Sequence, residues 1–177
     1  MRVLVSGATG FVGGHLIGAL RRSGYDPLAL VRPTSSLELL TAADVPSVTG
    51  DLGTGVGLDD ALEGVEAIVH CAGGGRVRRV EDFYLNNTRT TETLAEAAVR
   101  AGVEAFVLLS SYAAHGPGSD QGLPGPGTPP APLSHYGRSK LAAENHLREL
   151  SDRMRTRVVR APGLHGAGER RLIPLLR

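Results

Sequence analysis

The sequence predicts an α/β protein built on a doubly wound parallel sheet with helices on both faces. Three observations carry that prediction. Short apolar, β-branched runs alternate along the chain with longer helical patterns. The apolar runs are continuous rather than alternating, as in strands buried on both faces. The first run also ends in a glycine-rich turn, "SGATGFVGG", that opens directly into a helical pattern.

The strands are expected at "RVLVSG" (2–7), "PLALVR" (27–32), "PSVTGD" (46–51), "AIVHCAG" (67–73), "AFVLLSS" (105–111) and "TRVVRAPG" (156–163). Helices are expected over 11–23, roughly 58–63, 81–101 and 135–154, with a short helix at most in "PTSSLELLTAADV" (33–45). Strand–helix–strand units of this kind join parallel neighbours through right-handed crossovers. The Gly- and Pro-rich "GPGSDQGLPGPGTPPAP" (116–132) reads as a loop inside one domain spanning 1–177, with a disordered linker as the alternative. No internal repeat interrupts the pattern.

With 177 residues, 41% of them hydrophobic, the chain is long enough to bury a sizeable core. Nineteen basic and 18 acidic side chains leave a formal charge of +1, with no nucleic-acid footprint and no polybasic membrane face. "RVRR" (76–79) is too short for either and reads as a solvated loop. One cysteine, Cys71, excludes an internal disulfide and a cysteine-rich metal site, and it reads as a buried small hydrophobe. His70 reads as a core or lining residue, and no histidine spacing suggests a metal. The apolar run at the N-terminus is too short for a secretory core, and no run of about 18 apolar residues occurs. These features predict a cytoplasmic protein.

Gly7, Gly10 and Gly13 are spaced G-x-x-G-x-x-G at the end of the first strand. The first glycine permits a tight turn, the second lets backbone approach a pyrophosphate, and the third lets helix pack close to strand. The phosphate then rests on a helix N-terminus, where free N–H groups point outward. Dinucleotide binding is the expectation. NAD sites usually carry an acid near the end of the second strand for the ribose 2′-hydroxyl. Here Arg32 holds that place, Asp26 comes too early, and Ser35 and Ser36 stand nearby. An arginine suits a 2′-phosphate, so NADP is favoured over NAD. The alternative is an Arg32 that points to solvent.

In "SHYGRSKLAAE" (134–144), Tyr136 precedes Lys140 by four residues at the start of a helix. Positions i and i+4 share one helical face about 6 Å apart along the axis. A cation beside a phenol favours the phenolate, which is the arrangement acid–base chemistry at neutral pH requires. Taken alone, the pair is equally consistent with an ordinary surface helix.

In order along the chain, "GATGFVG" (7–13), "GDL" (50–52), "IVHCAG" (68–73), "NNTRTTETLAEAA" (86–98), "VLLSSYAAHG" (107–116), "YGRSK" (136–140) and "RAPGLHGAGERRLIPLL" (160–176) resemble the extended short-chain dehydrogenases/reductases of the NAD-dependent epimerase/dehydratase type. Within that group the chain looks closest to members related to dihydroflavonol reductases, 3β-hydroxysteroid dehydrogenases and sugar epimerases. The resemblance implies a Rossmann-type fold and catalytic roles for Ser111, Tyr136 and Lys140. The tyrosine would be the general acid/base, the lysine would lower its pKa and bind the nicotinamide ribose, and the serine would hydrogen-bond the substrate oxygen. Cofactor contacts would come from Gly7, Thr9, Gly10, Phe11, Val12, Gly13, Arg32, Asp51, Leu52, Cys71, Ala72, Gly73, Asn87, Tyr136, Lys140 and Pro162.

Departures from the pattern bear on substrate. Ala113 stands where nucleotide-sugar enzymes of the family often carry a hydroxyl, and "AHG" (114–116) where they carry "VYG". Gly163 replaces a common asparagine and His165 a common tyrosine. Two polar grips on a sugar are therefore missing. Relatives also run to about 300 residues, so the resemblance implies that most of the substrate lobe falls outside this chain, beyond a helix beginning in "RRLIPLLR". The expected function is NAD(P)-dependent hydride transfer on a small carbonyl or hydroxyl substrate. A homodimer or a partner chain would complete the lobe. The alternatives are an NADP-binding redox sensor without turnover and an inactive fragment.

Overall fold

The computed structural model describes residues 1–74, 77–118, 122 and 127–169. Six parallel strands form one sheet in the order β3-β2-β1-β4-β5-β6. They are β1 (Arg2–Ser6), β2 (Asp26–Val31), β3 (Ser47–Thr49), β4 (Ala67–His70), β5 (Ala105–Ser111) and β6 (Arg155–Ala161). The helices are α1 (Phe11–Arg22), α2 (Glu38–Ala42), α3 (Leu58–Ala61), α4 (Val80–Phe83), α5 (Thr90–Arg100) and α6 (His135–Glu149).

The apolar strands sort their side chains to two cores. In β1, Leu4 packs with Leu58, Ile68, Leu94, Phe106 and Leu147 beneath α3, α5 and α6. Its neighbours Val3 and Val5 point the other way, to Ile17 and Leu40 of α1 and α2. Successive strand residues alternate between faces, so a continuous apolar run is what a sheet covered on both sides requires. That expectation fails at the edges. In β3 no residue is buried, and in β6 Val158 and Val159 are 38% and 50% exposed. An edge strand has one neighbour and an incomplete helical cover, so its apolar residues keep contact with solvent.

Three further departures concern element ends. The fourth strand stops at His70 rather than 73, because Cys71–Gly74 leave the sheet toward the cleft described below. The tyrosine helix stops at Glu149 rather than 154, where Leu150 caps it and residues 151–153 form a turn. The helix expected over 81–101 is not one α-helix. A π-helical turn, Tyr84–Arg89, separates α4 from α5. The helix expected to begin in "RRLIPLLR" lies outside the described residues, as do Arg76 of "RVRR" and part of the 116–132 loop.

Sheet order fixes where a ligand can lie. The connections run outward in opposite directions from β1 and β4, which leaves a crevice above their C-terminal ends.

Candidate active site

A cleft of about 1380 Å³ opens at that crevice. Its walls include all the residues expected at the site, from Gly7 to Pro162.

The glycine loop forms the floor. Gly7 has φ +69°, in the left-handed region that favours glycine, and a Cβ there would lie 2.7 Å from the Ala72 nitrogen. A Cβ at Gly13 would sit 2.2 Å from the Gly7 carbonyl oxygen, so only glycine lets α1 start this close to β1. A Cβ at Gly10 would meet only that same oxygen, at 3.1 Å. No side chain caps α1 at Gly10 and its first turn carries no acid. The first-turn N–H groups are thus available to an anion. Thr9, Phe11 and Val12 complete this wall. A backbone cradle that side chains would fill, at an uncapped helix N-terminus, fits a dinucleotide pyrophosphate.

Beyond β2 and β3 the cleft is held by local bonds. Arg32 follows β2 directly, and the Ser35 hydroxyl accepts from its backbone N–H at 3.1 Å. Ser35 lines the cleft beside Arg32. Asp51 accepts from the N–H groups of Gly53 (2.7 Å) and Thr54 (3.2 Å). These two bonds, with a weaker pull from the Arg32 cation, hold its carboxyl below the usual carboxylate range. Leu52 stands next to it on the wall.

Beyond β4 and β5 the construction differs. Ser134 caps α6 by accepting from Gly137 N–H at 3.0 Å, and Tyr136 lies in the first turn. A Cβ at Gly137 would lie 2.1 Å from the Ala113 carbonyl oxygen. The glycine therefore brings the tyrosine helix against the 3-10 turn Tyr112–Ala114, which directly follows Ser111. Ser111 caps that turn, accepting from Ala113 N–H at 3.2 Å, and also lines the cleft.

Lys140 is 4% exposed and its Nζ donates to the Leu109 carbonyl at 2.8 Å. Burial lowers its pKa from 10.5 to about 8, against the opposing pull of Glu144. It is the only lysine in the chain; the other 18 basic residues are arginines. Cys71 is half-buried on the cleft wall, less enclosed than the sequence suggests, because the chain turns out of the sheet there. Burial still pushes its thiol up to about 11. His70 is fully buried in the core, with Nδ1 2.5 Å from the Ser6 hydroxyl, and burial holds its pKa down to about 3.

Asn87 sits in the middle of the π-helical turn and is 1% exposed. Its side chain exchanges hydrogen bonds with the Gly74 backbone (3.0 and 3.1 Å) and donates to the Ser139 hydroxyl at 3.1 Å. Ser139 in turn donates to the Tyr136 carbonyl at 2.8 Å, and Thr88 donates to the Ser139 carbonyl at 2.9 Å. The π turn is thereby latched to the tyrosine helix. Asn87 thus points inward from a π-helical turn, an irregularity often found at functional sites. Sequence reading missed Gly137 and Ser139. A glycine one residue past the tyrosine costs helix stability, about 1 kcal/mol relative to alanine, and was a usable signal for close approach.

The fold and the cleft define a Rossmann-type domain of the extended short-chain dehydrogenase/reductase class. The chain belongs to the NAD dependent epimerase/dehydratase family, which matches it over residues 3–177. It is 36% identical over 167 residues to a ceramide reductase of Caulobacter vibrioides, covering 94% of this chain and 47% of that protein. It is 34% identical over 155 residues to a UDP-glucose 4-epimerase of Azospirillum brasilense, covering 84% of this chain and 44% of that protein. The structure of MoeE5 in complex with UDP-glucuronic acid and NAD superposes with a TM-score of 0.81 at 32% identity, covering 96% of this chain and 57% of that one. The chain thus spans about half the length of the curated relatives it matches.

Proposed function

We propose that the cleft binds a nicotinamide dinucleotide, NADP in preference to NAD, and that Ser111, Tyr136 and Lys140 perform acid–base chemistry on the hydroxyl or carbonyl of a small substrate. One observation carries the reading: Tyr136 and Lys140 share a face of α6, and Gly137 brings that helix against the turn after Ser111, on the same cleft as the glycine loop. Gly7, Gly10 and Gly13 with α1 would hold the pyrophosphate. Arg32 and Ser35 would take the 2′-phosphate, and Asp51 and Leu52 the adenine side. Cys71, Ala72, Gly73, Asn87 and Pro162 would line the nicotinamide half. The nicotinamide supplies or accepts the hydride when bound. Tyr136 Oη would exchange the substrate proton, Ser111 Oγ would hold the substrate oxygen, and the Lys140 ammonium would stabilise the phenolate.

The substrate would lie outside β5 and β6, at the end of the sheet away from β2 and β3. The cleft lining includes Leu85, Tyr112, Ala113, Pro162, Gly163 and Leu164. These walls, with the two polar grips missing at Ala113 and Gly163, lean away from a nucleotide sugar, while the relatives include both a ceramide reductase and a UDP-glucose 4-epimerase. The exposed Val158 and Val159 of β6 support a second copy or a partner chain along that edge.

Titrating the chain with NADPH and NADH tests the cofactor reading. NADPH is expected to bind more tightly. Equal affinities would remove the NADP preference, and no binding of either would remove the reading itself.

A further inference from the structure

Glu144 is 2% exposed, one turn after Lys140 on α6. It faces a guanidinium and a hydroxyl. Arg160 Nε donates to both carboxylate oxygens at 3.1 Å and its terminal nitrogen donates to Oε2 at 2.6 Å, while the Ser110 hydroxyl donates to Oε1. Arg160 is mostly covered, with 24% of its side chain exposed. Ser110 and Arg160 sit opposite each other in the β5–β6 register. The cluster therefore ties three elements together, each one to two residues or one turn from a site residue: Ser110 precedes Ser111, Arg160 precedes Ala161 and Pro162, and Glu144 follows Lys140.

A buried carboxylate is costly unless its lone pairs and charge are met, and here both are. What remains of its field falls on Lys140. The other groups around Lys140 are Cys71 and His70 from β4 and the turn after it, the Leu109 carbonyl from β5, and Tyr136 one turn earlier on α6. His70 is neutral and Cys71 is a thiol across the range where Lys140 titrates. Glu144 is the group that holds a proton on a lysine whose burial favours losing it.

We propose that Glu144, Arg160 and Ser110 form a positioning cluster: it ties α6 to the ends of β5 and β6 and places a tempered carboxylate one helical turn from Lys140, where it keeps that side chain charged. Arg160 tempers the carboxylate, and Glu144 acts on the ammonium across one helical turn while the Leu109 carbonyl accepts from its Nζ. Neither touches the cleft; both act through Lys140. This inference rests on reading Lys140 as the working cation of the site.

The chain has one lysine, so labelled lysine side-chain methylenes report Lys140 alone in an NMR titration. The two variants should move the midpoint in opposite directions. Glu144→Gln keeps the shape, removes the charge, and should lower the Lys140 midpoint by about one pH unit or more. Arg160→Gln exposes Lys140 to an untempered carboxylate and should raise it. A shift of the same sign in both folded variants, or none in either, would overturn the proposal. If one variant fails to fold, the sign seen in the other decides: a fall with Glu144→Gln or a rise with Arg160→Gln sustains it, and the reverse overturns it. The titration needs no cofactor, so a parent chain that binds neither NADPH nor NADH would overturn the proposed function while leaving this result readable.

Discussion

The two ends of the cleft are built differently. At the β2–β3 end, Arg32, Ser35 and Asp51 are held by bonds that reach two or three residues along the chain, and their side chains meet solvent. At the β4–β6 end, Lys140, Asn87 and Glu144 are held by bonds across 31, 52 and 34 residues, inside the protein. The first end can change its ligand preference without disturbing the fold. The second cannot, since each polar group there would be left buried without its partner, at a cost of about 1–3 kcal/mol or more. The proposed recognition end and the proposed chemical end are therefore under different constraints on one sheet.

That contrast can be broken most severely from the glycine loop both ends share. Gly13→Val should unfold the protein or lower its melting temperature sharply, because its Cβ would fall 2.2 Å from the Gly7 carbonyl. Gly10→Val should keep the fold and abolish dinucleotide binding, because its Cβ meets one atom at 3.1 Å and its methyl groups enter the phosphate space. Thermal melts paired with NADPH titration separate the two. If both variants melt alike, the loop is not divided into a packing glycine and a phosphate glycine.

At the proposed chemical end, in a longer form that carries the substrate lobe, Tyr136→Phe should cost at least about 100-fold in carbonyl-reducing turnover, with NADPH affinity nearly unchanged. Kinetic and binding assays on one preparation decide it, and a full-rate variant would make the helix pair structural only. At the recognition end, Arg32→Ala should weaken NADPH by about 10- to 100-fold, the equivalent of about 1.5–3 kcal/mol for a charge-assisted bond, while barely changing NADH. A uniform loss for both cofactors would mean that Arg32 supports the fold rather than the phosphate.

The buried end should also show in the pH dependence of stability. His70 is held near 3 when folded and has an ordinary value of 6.5, so the unfolded chain binds more protons between those values. Stability should fall as pH drops through that window. Lys140, lowered from 10.5 to about 8, acts with the same sign higher up: the unfolded chain again binds the extra proton, and stability gains as pH rises from about 8 to 10.5. Urea unfolding across pH, with His70→Asn as comparison, should lose the acid slope and keep the alkaline one. The smallest effect belongs to the exposed recognition end. Asp51→Asn should leave stability nearly flat, because its bonds to Gly53 and Thr54 are local and solvated.

The sequence by itself determined the strand–helix order, the glycine loop and the tyrosine–lysine pair. Each rests on short-range chemistry: the period of apolar residues, the steric freedom of Gly7, and the i, i+4 spacing of Tyr136 and Lys140. Tertiary structure decided the rest. The π-helical turn that carries Asn87 depends on Gly74 and Ser139, which lie 13 and 52 residues away. The exposure of Val158 and Val159 depends on β6 being last in the sheet, which no local pattern records. The union of Glu144, Ser110 and Arg160 depends on a helix crossing two paired strands. Periodicity and spacing act over a few residues and are written along the chain, whereas burial of a charge depends on which distant segments the sheet order brings around it.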